Sequence, residues 1–247
     1  MKLLIIISVF CLFSCSNLGV NFRNDYSPID IQTARDSLVV ITTIGKVKLA
    51  DDKVLEKKKR AVAIPLGNGY ILALAHCIIV PANFKVNTPF GQFTMSGTVL
   101  SQKTYIGKEK LELIGMKDDI CLLRSKKFKN PFPFEFGNSD DIKIGDSVLS
   151  IGFSFAKDFN VKAGIISTLE SNIDYFRKEK TGVPKHTFMH STPINGGDSG
   201  SPLFAFKGSI MQIVGITNAM LKDHGMGFAL KSNYVLKTVE QIKNAKI

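Results

Sequence analysis

Ser199 lies in Asn195-Gly196-Gly197-Asp198-Ser199-Gly200-Ser201-Pro202-Leu203-Phe204, a run of small residues that leads directly into an apolar strand. A serine hydroxyl attacks a carbonyl only when a base takes its proton and fixed N–H donors receive the charge that develops on the attacked oxygen. Gly197 can take backbone angles closed to other residues, so its N–H and that of Ser199 can point into one small hole. Taken alone, the run also reads as a Gly-rich β-turn before a strand. Partners distinguish the two readings. Of the histidines His76, His186, His190 and His224, only His76 closes a buried-looking strand, Gly69-Tyr70-Ile71-Leu72-Ala73-Leu74-Ala75-His76-Cys77. Asp119 opens a second apolar strand, Asp119-Ile120-Cys121-Leu122-Leu123. A carboxylate beside the imidazole fixes the tautomer that leaves the other ring nitrogen free to accept the serine proton. Nucleophile, base and orienting acid together make an acyl-transfer set, in the chain order His, Asp, Ser.

That order excludes the α/β-hydrolase arrangement, which needs Gly-x-Ser-x-Gly and the order Ser, acid, His; here Ser201 stands two residues after Ser199. Gly197-Asp198-Ser199-Gly200-Ser201-Pro202 resembles the nucleophile motif of trypsin-like serine peptidases, and Leu74-Ala75-His76-Cys77 resembles a variant of their histidine motif. Two further stretches, Phe136 to Gly152 and Gly225 to Asn233, are similar to strand and turn segments of the HtrA/Deg-type protease domain. The resemblance spans residues 36–244. It implies His76 as base, Asp119 as its orienting acid, Ser199 as nucleophile, and an oxyanion hole from the Gly197 and Ser199 N–H groups. It also implies substrate-pocket walls from Pro193, Ile194 and Asn195 and from Gly215, Ile216 and Thr217, a mostly apolar set suited to small or medium aliphatic side chains. Pro193 stands six residues before the nucleophile, where trypsin-like enzymes place the acid that reads Lys or Arg, so cleavage after basic residues is not expected. HtrA-type enzymes usually carry Asn at the Asp198 position and Gly at the Ser201 position. In secreted animal trypsins the equivalent aspartate pairs with an ammonium released by chain cleavage; no stretch resembles that cleavage site, and no such switch is expected. The final helix comes just before the last residue, and no PDZ domain is expected.

The fold that must position these residues is all-β: two antiparallel six-stranded β-barrels of chymotrypsin-like type, followed by a C-terminal helix. A chain of 247 residues, 45% hydrophobic and 21% charged, holds one such peptidase unit over 36–247. The first barrel is expected over about residues 36–130 and opens with the β-branched run Ser37 to Ile44. Lys57-Lys58-Lys59-Arg60 reads as a solvated hairpin tip, and Pro81 to Lys117 as an insert ahead of Asp119. Pro131 and Pro133 cannot continue a central strand, so Arg124 to Pro133 reads as the inter-barrel linker. The second barrel is expected over about 134–230, with strands at Ser147–Phe153, Val161–Leu169, Thr187–His190, Ser201–Phe206, Ile210–Thr217 and Met226–Leu230. Ser232 reads as the N-cap of a helix over 232–244, whose Val235, Leu236, Val239 and Ile242 share one face.

Residues 1–15 resemble a bacterial lipoprotein signal: Lys2, an apolar run too short to span a bilayer, then Leu12-Phe13-Ser14-Cys15, with Cys15 as the lipidated residue. An ordinary cleaved signal is the simpler alternative, and both imply export. Residues 16–35 read as a polar tether. Cys77 and Cys121 read as small buried hydrophobes with free thiols, not as a disulfide. No ligand-spaced Cys, His or carboxylate cluster points to a metal, and no cofactor is expected. The formal net charge of +11 is spread through a lysine-rich surface and carries no nucleic-acid motif. The reading is an exported, lipid-anchored serine endopeptidase of the cell envelope. Its partners are protein or peptide substrates and, through its anchor, a membrane. The second reading keeps the same fold as an inactive binding module.

Overall fold

The structure, a computed structural model, describes residues 27–88, 91–169, 186–221 and 225–245. The leader with Cys15, the tether up to Tyr26, and His224 lie outside the described residues. Pro28–Ser37, the end of the expected tether and the start of the domain, form helix α1, with proline in its first turn and Ala34 buried. Proline in the first turn loses no internal hydrogen bond and brings a preset φ.

The first half is built on β1 (Val39–Leu49) and β2 (Val54–Gly67), paired antiparallel from Val39 opposite Ala63 to Lys48 opposite Val54. Alternate β1 residues from Val39 to Leu49 face the core, as period-two patterning requires. The basic run Lys57 to Arg60 lies inside β2, opposite Gly45, Ile44, Thr43 and Thr42, and is not the hairpin tip expected from its charge. Cross-strand pairing with a β-branched neighbour outweighs the weak strand preference of lysine. The chain continues through β3 (Tyr70–Leu74), a one-turn helix α2 (Ala75–Ile78), β4 (Asn83–Thr88), β5 (Gly91–Ile106), β6 (Glu109–Lys110), β7 (Glu112–Lys117) and β8 (Ile120–Arg124). The sheet order is β4-β5-β1-β2-β3-β8-β7, with β6 on β5. This half is therefore an eight-stranded sheet, where a closed six-stranded barrel was expected. The Pro81–Lys117 insert supplies β4 to β7, and its β4–β5 hairpin extends the sheet beyond β1.

The second half closes into a six-stranded barrel in the order β10-β11-β14-β13-β12-β9. Its strands are β9 (Ser147–Gly152), β10 (Asn160–Thr168), β11 (Thr187–His190), β12 (Pro202–Lys207), β13 (Ile210–Leu221) and β14 (Met226–Lys231). The linker seals the seam between halves: Phe132 and Phe134 pack on each other and on Phe204 of β12, with ring centroids 5.6–6.2 Å apart. Helix α3 (Ser232–Asn244) buries Val235, Val239 and Ile242, while Leu236 sits at the rim. Ser232 is not its N-cap; that position is Lys231, and the Ser232 hydroxyl donates to the Gly137 carbonyl at 2.6 Å, tying the helix start to the segment before β9. Among the described residues, no helix is long and apolar enough to cross a membrane.

Candidate active site

β3 and β8 are neighbours, with Leu74 opposite Ile120, so the end of one strand and the start of the other lie side by side. His76 follows the first and Asp119 precedes the second. Two further bonds pin these turns: Ala75 N–H donates to the Asp119 carbonyl at 2.8 Å, and His76 N–H donates to Asp119 Oδ1 at 3.1 Å. The ring then sits with Nδ1 2.9 Å from both Asp119 carboxylate oxygens and Nε2 2.9 Å from Ser199 Oγ. With the carboxylate ionised, Nδ1 carries the proton and Nε2 is left to accept from the hydroxyl. Burial by itself would lower the His76 pKa. The Asp119 hydrogen bond and charge, together with Cys77 beside the ring, outweigh that and raise it well above its ordinary value of 6.5.

Ser199 stands on the turn between β11 and β12, and that turn is held from both halves. The Ser199 carbonyl accepts from Val62 N–H of β2 at 3.1 Å, and Gly200 N–H donates to Thr217 of β13 at 2.8 Å. Gly197 has φ +101°, and a Cβ there would lie 2.3 Å from the Phe153 carbonyl oxygen and 2.8 Å from Ala156 N. Among the described residues, neither the Gly197 nor the Ser199 N–H donates to a backbone carbonyl. Two backbone donors therefore remain on the Ser199 turn.

Asp198 points away from the cleft and is fully buried. Its carboxylate accepts from the Ser154 hydroxyl at 3.0 Å and from Asn195 N–H at 2.8 Å, and forms an ion pair with Lys162 of β10. Gly152 makes room for it, since a Cβ at that position would lie 2.3 Å from Asp198 Oδ1. The neighbouring His190 is also buried; desolvation and the Lys162 charge push it down to about 3, so it stays neutral beside the pair. Arg60 Nη1 donates to the Ala156 carbonyl at 3.1 Å, fastening the Ser154–Ala156 turn that backs Gly197.

His76 and Asp119 open on a cleft of about 920 Å³ whose lining includes Lys59, Ile79, Pro81, Asn218 and Tyr234. The six residues expected to form pocket walls are not among those lining it. Gly215 faces the Phe188 ring inside the second barrel, Ile216 and Thr217 are buried, and Asn195 belongs to the Asp198 network. Pro193 is exposed, and Ile194 packs against Gly227. The neighbouring Asn218, at the register shift between Thr217 and Ala219, is among the residues lining the cleft. Lys59 donates to the carbonyls of His76 and Ile79 at 3.0 and 2.7 Å, holding the turn that carries the imidazole. Its signal in the sequence was only a charge run, and Lys162 carried none beyond its place on an alternating strand. Cys77 and Cys121 are buried free thiols. Among the described residues, no group of three or more His, Cys, Asp or Glu could hold a metal ion.

Comparison with known proteins adds three similarities. The chain is 28% identical over 194 residues to a probable periplasmic serine endoprotease DegP-like of Rickettsia prowazekii, covering 76% of this chain and 35% of that protein. It is 31% identical over 182 residues to a protein of the same description from Buchnera aphidicola, covering 71% and 34%. It thus spans about a third of the length of these relatives. Among solved structures it resembles the HtrA-type protease AlgW with decapeptide, at TM-score 0.61 and 21% identity, over 87% of this chain and 66% of that one, a likeness of fold. The profile described as Trypsin-like peptidase domain matches residues 60–216. With that match over more than half its length, the chain belongs to the trypsin-like peptidase domain family.

Proposed function

We propose that the chain is an exported serine endopeptidase that cleaves peptide bonds through His76, Asp119 and Ser199 and a covalent acyl-enzyme. The observation that carries this reading is the position of His76, hydrogen-bonded at one ring nitrogen to Asp119 and at the other to Ser199 Oγ. His76 takes the hydroxyl proton as Ser199 Oγ attacks the substrate carbonyl. The Gly197 and Ser199 N–H groups receive the oxyanion. His76 then protonates the leaving amine and activates the water that releases the acyl group. Asp119 holds the tautomer and stabilises the imidazolium.

Peptide substrates are supported by the decapeptide named with the AlgW structure. Pro193, standing where trypsin-like enzymes place the acid that reads Lys or Arg, supports small or medium aliphatic side chains at the cleaved position over basic ones. Export is supported by the leader and by the periplasmic description of the relatives, and lipid anchoring at Cys15 by the Ser14-Cys15 junction.

Fluorophosphonate labelling of the purified chain, with Ser199→Ala and His76→Ala beside it and the label mapped to a peptide, tests the reading. Label is expected on Ser199, dependent on His76, together with cleavage of an unfolded protein substrate that falls about a millionfold in Ser199→Ala. A folded protein that neither labels nor cleaves would overturn this reading in favour of the binding module.

A further inference from the structure

We infer that Lys162 is the positioning residue for the oxyanion turn, a built-in cation that holds Asp198 buried and thereby keeps the Gly197 and Ser199 N–H groups aligned. The inference rests on the acyl-transfer reading above. Asp198 stands between the two donor residues, so any rotation that moves its carboxylate also turns the peptide units on either side. The carboxylate is fully buried, and three groups hold it there: the Ser154 hydroxyl, the Asn195 N–H and the Lys162 ammonium. Only the last carries a full positive charge, because His190 is neutral. A buried carboxylate that loses its cation is driven towards water or protonation, and neutral hydrogen bonds do not offset that desolvation.

The site is shaped for this pair. Gly152 leaves the space the carboxylate fills, and the Lys162 side chain is itself only 11% exposed, so it is not a surface lysine that happens to reach inward. The nucleophile turn also meets its backing turn closely, with a Gly197 Cβ position 2.3 Å from the Phe153 carbonyl oxygen, which transmits the seat of Asp198 directly to the first donor. Because the cation comes from β10 of the folded barrel, chain cleavage is not needed to supply one.

The test compares Lys162→Met, Asp198→Asn and the double variant with wild type, using kcat and KM on a peptide substrate. Amide hydrogen exchange of the 193–201 peptide, all in the Ser199→Ala background, is read separately. Lys162→Met is expected to lower kcat at least a hundredfold with KM within threefold, and to speed exchange of the turn. Neutralising both partners removes the unpaired charge, so the double variant is expected to regain at least tenfold in kcat over Lys162→Met and to restore protection. Should Lys162→Met fail to fold, a folded double variant with kcat within tenfold of wild type carries the same conclusion. A folded Lys162→Met with kcat within threefold of wild type and unchanged exchange overturns it. So does a folded double variant no better than Lys162→Met, which would mean that lysine packing, not charge, is what matters. If wild type itself does not cleave, the acyl-transfer reading fails, and the exchange measurement alone decides whether Lys162 sets the turn.

Discussion

Gly197→Ala tests the nucleophile turn most directly, because the perturbation is a single methyl group. Its Cβ would lie 2.3 Å from the Phe153 carbonyl oxygen, 1.1 Å inside the 3.4 Å at which ordinary contact begins, and 2.8 Å from Ala156 N. Both obstacles are backbone, in a turn fastened by Arg60, so neither yields as a side-chain end would. The φ of +101° also lies beyond the left-handed region that alanine tolerates. Holding alanine there costs about 1–3 kcal/mol, so the turn is expected to move instead and take the Gly197 N–H with it. One misplaced oxyanion donor costs about 3 kcal/mol of transition-state stabilisation, or roughly a hundredfold in kcat. KM on a peptide substrate is expected to change less than threefold, because the donor acts on charge that forms only in the transition state. Gly196→Ala is the control: nothing lies within 4 Å of its Cβ, so its kcat should stay within threefold of wild type. The reasoning fails if Gly197→Ala retains more than a third of the wild-type kcat, or if the two alanine variants lose equal activity.

Two further outcomes follow from the groups around His76. The base must be neutral, and its raised pKa places the acid limb of kcat/KM above 6.5, so activity should climb as pH rises through neutrality. Asp119→Asn removes one of the two groups that raise it; the limb should move downward while kcat drops about ten-thousandfold from loss of the held tautomer, as pH–rate profiles of both proteins would show. Cys77 and Cys121 are buried thiols, so added reductant should change neither the thermal midpoint nor the activity; a midpoint falling by several degrees would reveal a disulfide.

The chemistry was more legible in the sequence than the walls around it. Ser199, His76 and Asp119 each sit where a strand meets a turn, and local residue types mark such junctions; the structure brings all three within hydrogen-bond reach. The second barrel was readable strand by strand because most of its strands are short apolar runs, buried along their length and bounded by polar and glycine-bearing turns. The first half was not, since closure depends on how the Pro81–Lys117 insert folds, which no local pattern encodes. The pocket residues illustrate the same limit. Gly215, Ile216 and Asn218 differ in which side of β13 they occupy, and the register shift at Thr217 to Ala219 that decides this is a property of the pairing with β14. Lys162 and Lys59 were invisible for a related reason. Lysine is usually solvated, and what makes these two different is a carboxylate 36 residues away in one case and two turn carbonyls in the other. Likewise Ser232 has the right residue type for a cap, but a carbonyl 95 residues distant claims its hydroxyl.

The bond from Val62 N–H to the Ser199 carbonyl makes the nucleophile's own peptide unit a rivet between the two halves, and a Cβ on Gly200 would lie only 2.1 Å from the Val62 oxygen on the same seam. Base and acid belong wholly to the first half, while the hydroxyl belongs to the second. On the proposed mechanism neither half therefore carries the activity by itself, and a chain emerging from its N-terminus presents His76 and Asp119 before Ser199 has been made. Competence on that mechanism requires both halves to be folded and joined along this seam. On that reading, cleavage is conditional on the completion of both halves, a dependence written into the order of the chain.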